Sequence, residues 1–258
     1  MIFRVCLAVL AILTASQLQA GEIAPEQRRS AYDTMSAGTR AMQDDDMANP
    51  ATLWVLDGEA LWSQPAGATQ KSCADCHGDA KISMKGRAAR YPQFDATTGG
   101  VVDLEQQINY CRRERQKATP LAFESHELLA LSAWVSLQSR GARIEASTDP
   151  AAQKAIEAGR RLFTERRGQL NLSCAQCHDD NWGRSLAGAT IPQGHPNGYP
   201  LYRLEWQSLG SMRRRLRNCL SGMRAELWPQ DAPEYDDLEI YLMSRASSLT
   251  MESPAVRP

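Results

Sequence analysis

The chain has 258 residues, 43 % of them hydrophobic, and its 29 Lys and Arg against 30 Asp and Glu leave a formal net charge of −1. Near neutrality excludes nucleic-acid binding driven by global charge, and the length gives room for two domains of ordinary size. Charge is patchy, with Asp44-Asp45-Asp46 near the start and arginines clustered at 112–115 and 213–217, so local anion binding stays open.

In chain order, Arg4, an apolar run from Val5 to Leu13 and a Ser-Gln-Leu-Gln-Ala ending at Ala20 read as a signal peptide over 1–20. An uncleaved anchor is the alternative, and the small-residue cleavage site argues against it. The run is shorter than the roughly 20 residues of a membrane span, and no later stretch approaches one, so the expected location is the periplasm. Residues 21–50 have helical composition in places but no motif, and are expected to wrap the first domain as an N-terminal extension.

Cys73-Ala-Asp-Cys76-His77 and Cys174-Ala-Gln-Cys177-His178 each have the C-x-x-C-H pattern of haem c attachment. Two thiols three positions apart can reach both vinyl groups of one porphyrin as thioethers. The next residue's imidazole then lies under the iron as its proximal ligand. Two copies imply two covalent haems. A thiol redox pair or half a zinc site are the competing readings, and zinc lacks a finger-like return of partners here.

The halves match beyond these pentads. Gly58 precedes Cys73 by the interval at which Gly159 precedes Cys174, and each opens a Gly-x-x-Leu-aromatic segment, Leu61-Trp62 and Leu162-Phe163. Tyr91-Pro92 precedes Cys111 as Tyr199-Pro200 precedes Cys219. Apolar residues at helical spacing over Leu128 to Leu137, and over Leu238 to Met243, predict a closing helix in each half, with Tyr241 standing where Trp134 stands. A cluster of Gly, Ser, Thr and Pro over 140–150 marks the linker before an amphipathic segment at 151–163. Runs of alternating β-branched residues are missing. The expected fold is therefore all-α, with two tandem cytochrome c-like domains, 51–148 and 149–258, and long loops.

Cys6 leaves with the signal peptide, and four of the remaining cysteines attach haem, which leaves Cys111 and Cys219 unassigned. They could form a disulfide, which needs Cα atoms within about 7 Å. They could be inert buried thiols. Or each could be the distal thiolate ligand of the iron in its own half. Equivalent positions in tandem domains stand about a domain diameter apart, which disfavours the bridge, and a free thiol in an oxidising compartment is a liability unless covered or liganded. Met84, Met212, Met223 and Met243 could supply a thioether instead, but none recurs at a matching position, whereas the cysteines do. His126 and His195 lack mutual equivalence and read as structural or exposed.

Thiolate ligation stabilises ferric iron and lowers its potential, which fits something other than simple relay. Arg215 lies four residues before Cys219, on the same face of a helix. A cation there lowers the thiol pKa and can hold an anion against the sulfur. Arg213, Arg214 and Arg217 read at least as well as a solvated face. Gln107 takes the matching place before Cys111, which points to the second site as the reactive one.

Taken together these residues resemble the SoxA family, dihaem cytochrome subunits of bacterial sulfur-oxidising SoxAX complexes. The resemblance covers nearly the whole mature chain: two C-x-x-C-H units, one further cysteine after each, Asn197-Gly198-Tyr199-Pro200-x-Tyr202-Arg203, and most specifically Arg-Arg-Leu-Arg-Asn-Cys219. Some members replace the first haem motif by a disulfide, whereas Cys73, Cys76 and His77 are intact here. The resemblance implies an L-cysteine S-thiosulfotransferase that works with a SoxX-like monohaem cytochrome c and transfers thiosulfate to a SoxYZ-like carrier. It implies that Cys219 is the catalytic cysteine, carried as a persulfide and coordinating the second haem, that Arg215 holds the sulfur oxyanion, and that Cys111 is the distal ligand of the first haem. Two rivals stand beside it: a dihaem cytochrome that only relays electrons, with Met or His distal ligands, and a dihaem peroxidase, for which no distal acid or base is evident.

Overall fold

Each half is organised around one pair of crossing helices. The computed structural model describes residues 22–258, so the expected signal peptide lies outside the described residues. In the first half, α1 (Ala37–Asp44) and α2 (Thr52–Trp62) precede the motif helix α3 (Cys73–His77) and the single turn α4 (Ala80–Ser83). A hairpin of β1 (Gln93–Asp95) and β2 (Gly100–Val102) leads into α5 (Leu104–Cys111), a π-helical turn at Arg112–Gln116, and α6 (His126–Leu137). The second half follows the same order with α7 (Pro150–Thr164), the motif helix α8 (Cys174–His178), and a hairpin of β3 (Ser185–Leu186) and β4 (Ala189–Thr190). Strands β5 (Leu201–Arg203) and β6 (Ser208–Gly210), helices α9 (Met212–Gly222) and α10 (Pro233–Arg245), and β7 (Ala255–Arg257) complete it.

The chain is mostly helical but departs from the all-α expectation through these seven short strands. β5 is the middle of a three-stranded sheet, antiparallel to β6 and parallel to β7. Strands of two or three residues are placed by their turns and neighbours more than by propensity, so no alternating β-branched run announces them. Gly99, at φ 71°, and Gln207, at φ 53°, sit in two of the connecting turns.

Both motif helices start in the same way. Ser72 Oγ accepts from the Asp75 amide while the Asp75 carboxylate accepts from the Ser72 amide at 2.7 Å, and Ser173 and Gln176 form the same reciprocal pair. Such capping satisfies two otherwise unpaired donors and fixes where a five-residue helix begins. It thereby fixes the direction in which His77 and His178 leave the backbone.

The glycines that mark the repeat sit where the helix pairs touch. A Cβ on Gly58 would lie 2.1 Å from the Ala130 carbonyl oxygen of α6, and one on Gly159 would lie 1.9 Å from the Asp237 oxygen of α10. Glycine is the residue that lets these backbones approach so closely. Around the first crossing Val55, Trp62, Leu129, Ala133 and Trp134 form a core that also takes Tyr202 and Leu209 from the second half's sheet. Around the second, Phe163, Leu216, Leu220, Tyr235, Leu238 and Tyr241 do the same.

The N-terminal segment, expected to wrap the first domain, makes buried hydrogen bonds with the second half as well as with the first, where Ala51 N donates to Asn49 Oδ1 at 2.9 Å. Arg29 N donates to Gln193 Oε1 at 2.7 Å, Arg29 O accepts from His195 Nδ1 at 2.8 Å, and Asn49 Nδ2 donates to Pro254 O at 3.2 Å. The linker is likewise fastened: Gly141 N donates to Met251 O at 2.8 Å and Ile144 N to Leu249 O at 2.9 Å. Buried backbone donors need partners, and here the last residues of the chain supply them.

A buried charged cluster joins the halves. Arg213 of α9 pairs with Asp103 at 3.0 Å, with Asp236, and with Glu239 at 3.7 Å, all of them nearly out of solvent. Glu105, half-buried beside them, accepts from Ser132 Oγ at 2.8 Å. One guanidinium cannot balance four carboxyl groups, so protons remain in the cluster. Burial first, then the neighbouring Asp103, pushes Glu105 up to about 7, and burial pushes Asp236 to about 6 despite Arg213. A raised carboxyl favours the folded state below the unfolded carboxyl range and loses that contribution as pH climbs through the folded value. Glu105→Gln keeps the shape and removes the titration. Between pH 5 and 8 the variant should therefore gain about 2 kcal/mol of stability relative to the parent in thermal or denaturant unfolding. Parallel pH profiles for the two proteins would contradict this assignment.

Candidate functional site

Among the described residues no helix is long and apolar enough to cross a membrane, and the chemistry-bearing side chains gather within each half. In the second half a cavity of about 380 Å³ opens between α7, α8, α9 and α10. Its apolar walls are Phe163, Leu201, Leu216, Leu238 and Leu242, and its polar groups include His178, Arg215 and Cys219. The Phe163 ring lies 6.4 Å from the His178 ring, as Trp62 lies 5.7 Å from His77 in the first half.

His178 is oriented by its backbone neighbour. Its Nδ1 donates to the Pro192 carbonyl at 2.7 Å, because a carbonyl can only accept, and this leaves Nε2 as the lone-pair nitrogen. Burial also pulls the His178 pKa below the ordinary histidine value, so the ring is neutral near pH 7. A neutral imidazole with its far nitrogen held by a carbonyl is the arrangement an iron ligand needs. Pro192 was not legible as a partner, since nothing in the sequence links it to His178.

None of the six described cysteines is paired, and each of the two unassigned ones lies near a motif cysteine of its own half, Cys111 near Cys73 and Cys219 near Cys174. Burial and then the nearby Cys219 push the Cys174 thiol up to about 12, and burial and then Cys111 push Cys73 to about 11. Gln107 Nε2 lies 3.5 Å from the Cys111 sulfur, the place that Arg215 takes relative to Cys219. The first site is the more open, with Cys76 and His77 exposed, whereas Cys177 and His178 are half-buried.

The four arginines of α9 separate clearly. Arg213 is buried among carboxylates, contrary to the solvated face read for it. Arg214 stacks on Trp206 at 4.3 Å and approaches Glu124 at 3.5 Å, and Arg217 donates to the Trp228 carbonyl at 3.0 Å and to Tyr235 Oη at 3.1 Å. Arg215 alone of the four lines the cavity, and among the described residues it has no carboxylate within 4.0 Å. Of the remaining histidines, His126 Nε2 contacts Asp57 at 2.7 Å on the surface, and His195 is buried on the cavity wall, with burial taking it down to about 4.

These residues fit a covalently held haem in the second half. The cavity is walled by aliphatic and aromatic side chains, it is lined by Cys174, His178 and Cys219, and the buried His195 Nε2 on its wall has no hydrogen-bond partner. The first half offers the same donor set in Cys73, Cys76, His77 and Cys111, on a more open surface.

Comparison with known proteins agrees with this geometry. The family model for the SoxA/TsdA cytochrome c domain matches residues 57–144 and 158–251. The chain is 37 % identical over 222 residues to the L-cysteine S-thiosulfotransferase subunit SoxA of Pseudaminobacter salicylatoxidans, covering 86 % of this chain and 78 % of that one. It is 34 % identical over 232 residues to the subunit of the same name from Rhodovulum sulfidophilum, covering 90 % and 81 %. The crystal structure of SoxXA from P. pantotrophus superposes with a TM-score of 0.86 at 32 % identity, covering 90 % of this chain and 87 % of that one.

Proposed function

We propose that this chain, which belongs to the SoxA/TsdA cytochrome c family, is the dihaem subunit of an L-cysteine S-thiosulfotransferase that couples thiosulfate to a cysteine of a carrier protein. The reading assigns residues 51–148 and 149–258 to two haem domains and the chemistry to the second. One haem c would be held by Cys73, Cys76, His77 and Cys111, the other by Cys174, Cys177, His178 and Cys219. A haem bound there supplies a one-electron sink beside the reacting sulfur.

The chain's own residues supply the rest. Arg215 binds the sulfur oxyanion and brings its outer sulfur to Cys219, whose sulfur is carried as a persulfide. Charge-assisted hydrogen bonds from a guanidinium are strong in an apolar cavity, where water does not compete. The walls from Phe163, Leu216 and Leu242 limit water at the sulfur. Over the full reaction one sulfur–sulfur bond forms between thiosulfate and the carrier cysteine, the carrier thiol loses its proton, and two electrons leave.

The likeness to SoxXA supports a SoxX-like partner, which this reading takes to be a monohaem cytochrome c that accepts the electrons. A SoxYZ-like carrier, thiosulfate as substrate and a periplasmic location complete the reading. The observation that carries it is an unmatched arginine sharing an apolar cavity with a cysteine and a carbonyl-held histidine. Steady-state assay of the two-haem protein with a SoxX-like cytochrome, a SoxYZ-like carrier and thiosulfate tests it. Arg215→Gln is expected to lower kcat/KM for thiosulfate on the order of 100-fold with both haems retained. Unchanged kcat/KM would remove Arg215 from the site.

A further inference from the structure

Arg203 ends β5, the middle strand of the sheet, opposite Ser208 of β6 and Arg257 of β7. Its side chain is 15 % exposed and lines the cavity that Cys219 and Arg215 line. Trp206 faces the guanidinium at 5.3 Å and limits how it can turn. A buried guanidinium is ordinarily matched by a carboxylate, and the arginines of this wall are matched unevenly. Arg257 is balanced by Glu252 and bonded to Gln43, so it adds no free charge. Arg215 has no carboxylate within 4.0 Å among the described residues. Arg203 has Glu205 at 3.2 Å, but that carboxylate is 63 % exposed and therefore weakly held.

The Arg203 Nε is buried and has no hydrogen-bond partner. Burial and then the positive charge of Arg215 lower the Arg203 pKa, so the two cations stand close enough to repel. Two under-matched guanidiniums held together by a sheet and a helix cost stability unless a divalent anion joins them.

We infer that Arg203 is a second anion anchor of this cavity, acting with Arg215 to grip the sulfonate of a divalent sulfur oxoanion whose outer sulfur faces Cys219. The inference rests on the thiosulfate reading and deepens it, because it makes the site selective for dianions over monoanions.

Calorimetric titration of the oxidised two-haem protein with sulfate, an unreactive dianion, and with nitrate, a monoanion, tests it. Arg203→Gln should weaken sulfate binding about tenfold or more and nitrate binding at most about threefold, and Arg203→Lys should recover much of the loss. In turnover, Arg203→Gln should raise the thiosulfate KM about tenfold with kcat little changed. Sulfate affinity unchanged in Arg203→Gln but lost in Arg215→Gln overturns the inference and leaves the functional reading standing. Affinity unchanged in both variants, or no sulfate binding by the parent, overturns both the anchor and the anion site. A changed haem content or reduction potential in Arg203→Gln with sulfate affinity intact assigns the arginine to a haem carboxylate and also overturns the inference.

Discussion

Cys219→Met should abolish thiosulfate-dependent turnover, by on the order of 1,000-fold or more, while both haems stay attached. The substitution is chosen because a methionine thioether can still approach an iron but can neither ionise nor carry an extra sulfur. A Cys219 that serves only as a ligand would tolerate the exchange, since electron relay with methionine ligation is ordinary cytochrome chemistry. A Cys219 that reacts would not. Mass spectrometry of the intact chain distinguishes loss of chemistry from loss of cofactor, because two haem additions remain in the first case. The first half provides a control: Cys111 stands beside Gln107 instead of an arginine, and Cys111→Met should keep most of the turnover. Full activity in Cys219→Met would refute the catalytic assignment.

Gly159→Ala is expected to destabilise the protein by about 3 kcal/mol or more, or to prevent its accumulation. The added methyl would stand 1.9 Å from the Asp237 carbonyl oxygen and 2.6 Å from Tyr241 Cβ, so α7 and α10 must separate. That separation opens the edge contact between Phe163 and Tyr241, whose ring centroids are 5.4 Å apart, and with it the wall of the Cys219 cavity. Carbonyl oxygens of a helix cannot swing aside as a side chain can, so little relaxation is available. Gly222→Ala, at the end of α9 with nothing within 4 Å of the new methyl, should leave stability within about 0.5 kcal/mol and serves as the comparison. Thermal unfolding of the haem-loaded proteins measures both, and equal melting temperatures would contradict the tight-crossing account.

The features legible in the sequence are those whose chemistry requires neighbouring residues. Thioether attachment and proximal ligation need Cys-x-x-Cys-His as a contiguous unit, so both candidate sites stand out as motifs. Arg215 and Cys219 are legible for the same reason, being one helical turn apart. Gly58 and Gly159 are visible as repeat markers, but their purpose lies in residues of α6 and α10 far along the chain. The Arg213 cluster is hidden because Asp103 and Arg213 meet only through the packing of one half on the other, and a row of arginines otherwise reads as solvated. The short strands leave no alternating pattern. For Arg203 the quoted Tyr199-Pro200-x-Tyr202-Arg203 stretch gives the position, and only the register of β5 between β6 and β7 brings it to the cavity. The docking of the N-terminal segment on the second half depends on hydrogen bonds from Arg29 and Asn49 to distant backbone and amide groups.

Low-temperature electron paramagnetic resonance of the oxidised, haem-loaded protein tests the central claim most directly, since g-values report the axial donor to each iron. Low-spin signals of the histidine–thiolate type are expected from both haems, with one set lost in Cys219→Met and the other in Cys111→Met. Histidine–methionine or bis-histidine signals in the parent, or signals indifferent to Cys219→Met, would contradict the account and leave a protein that only relays electrons.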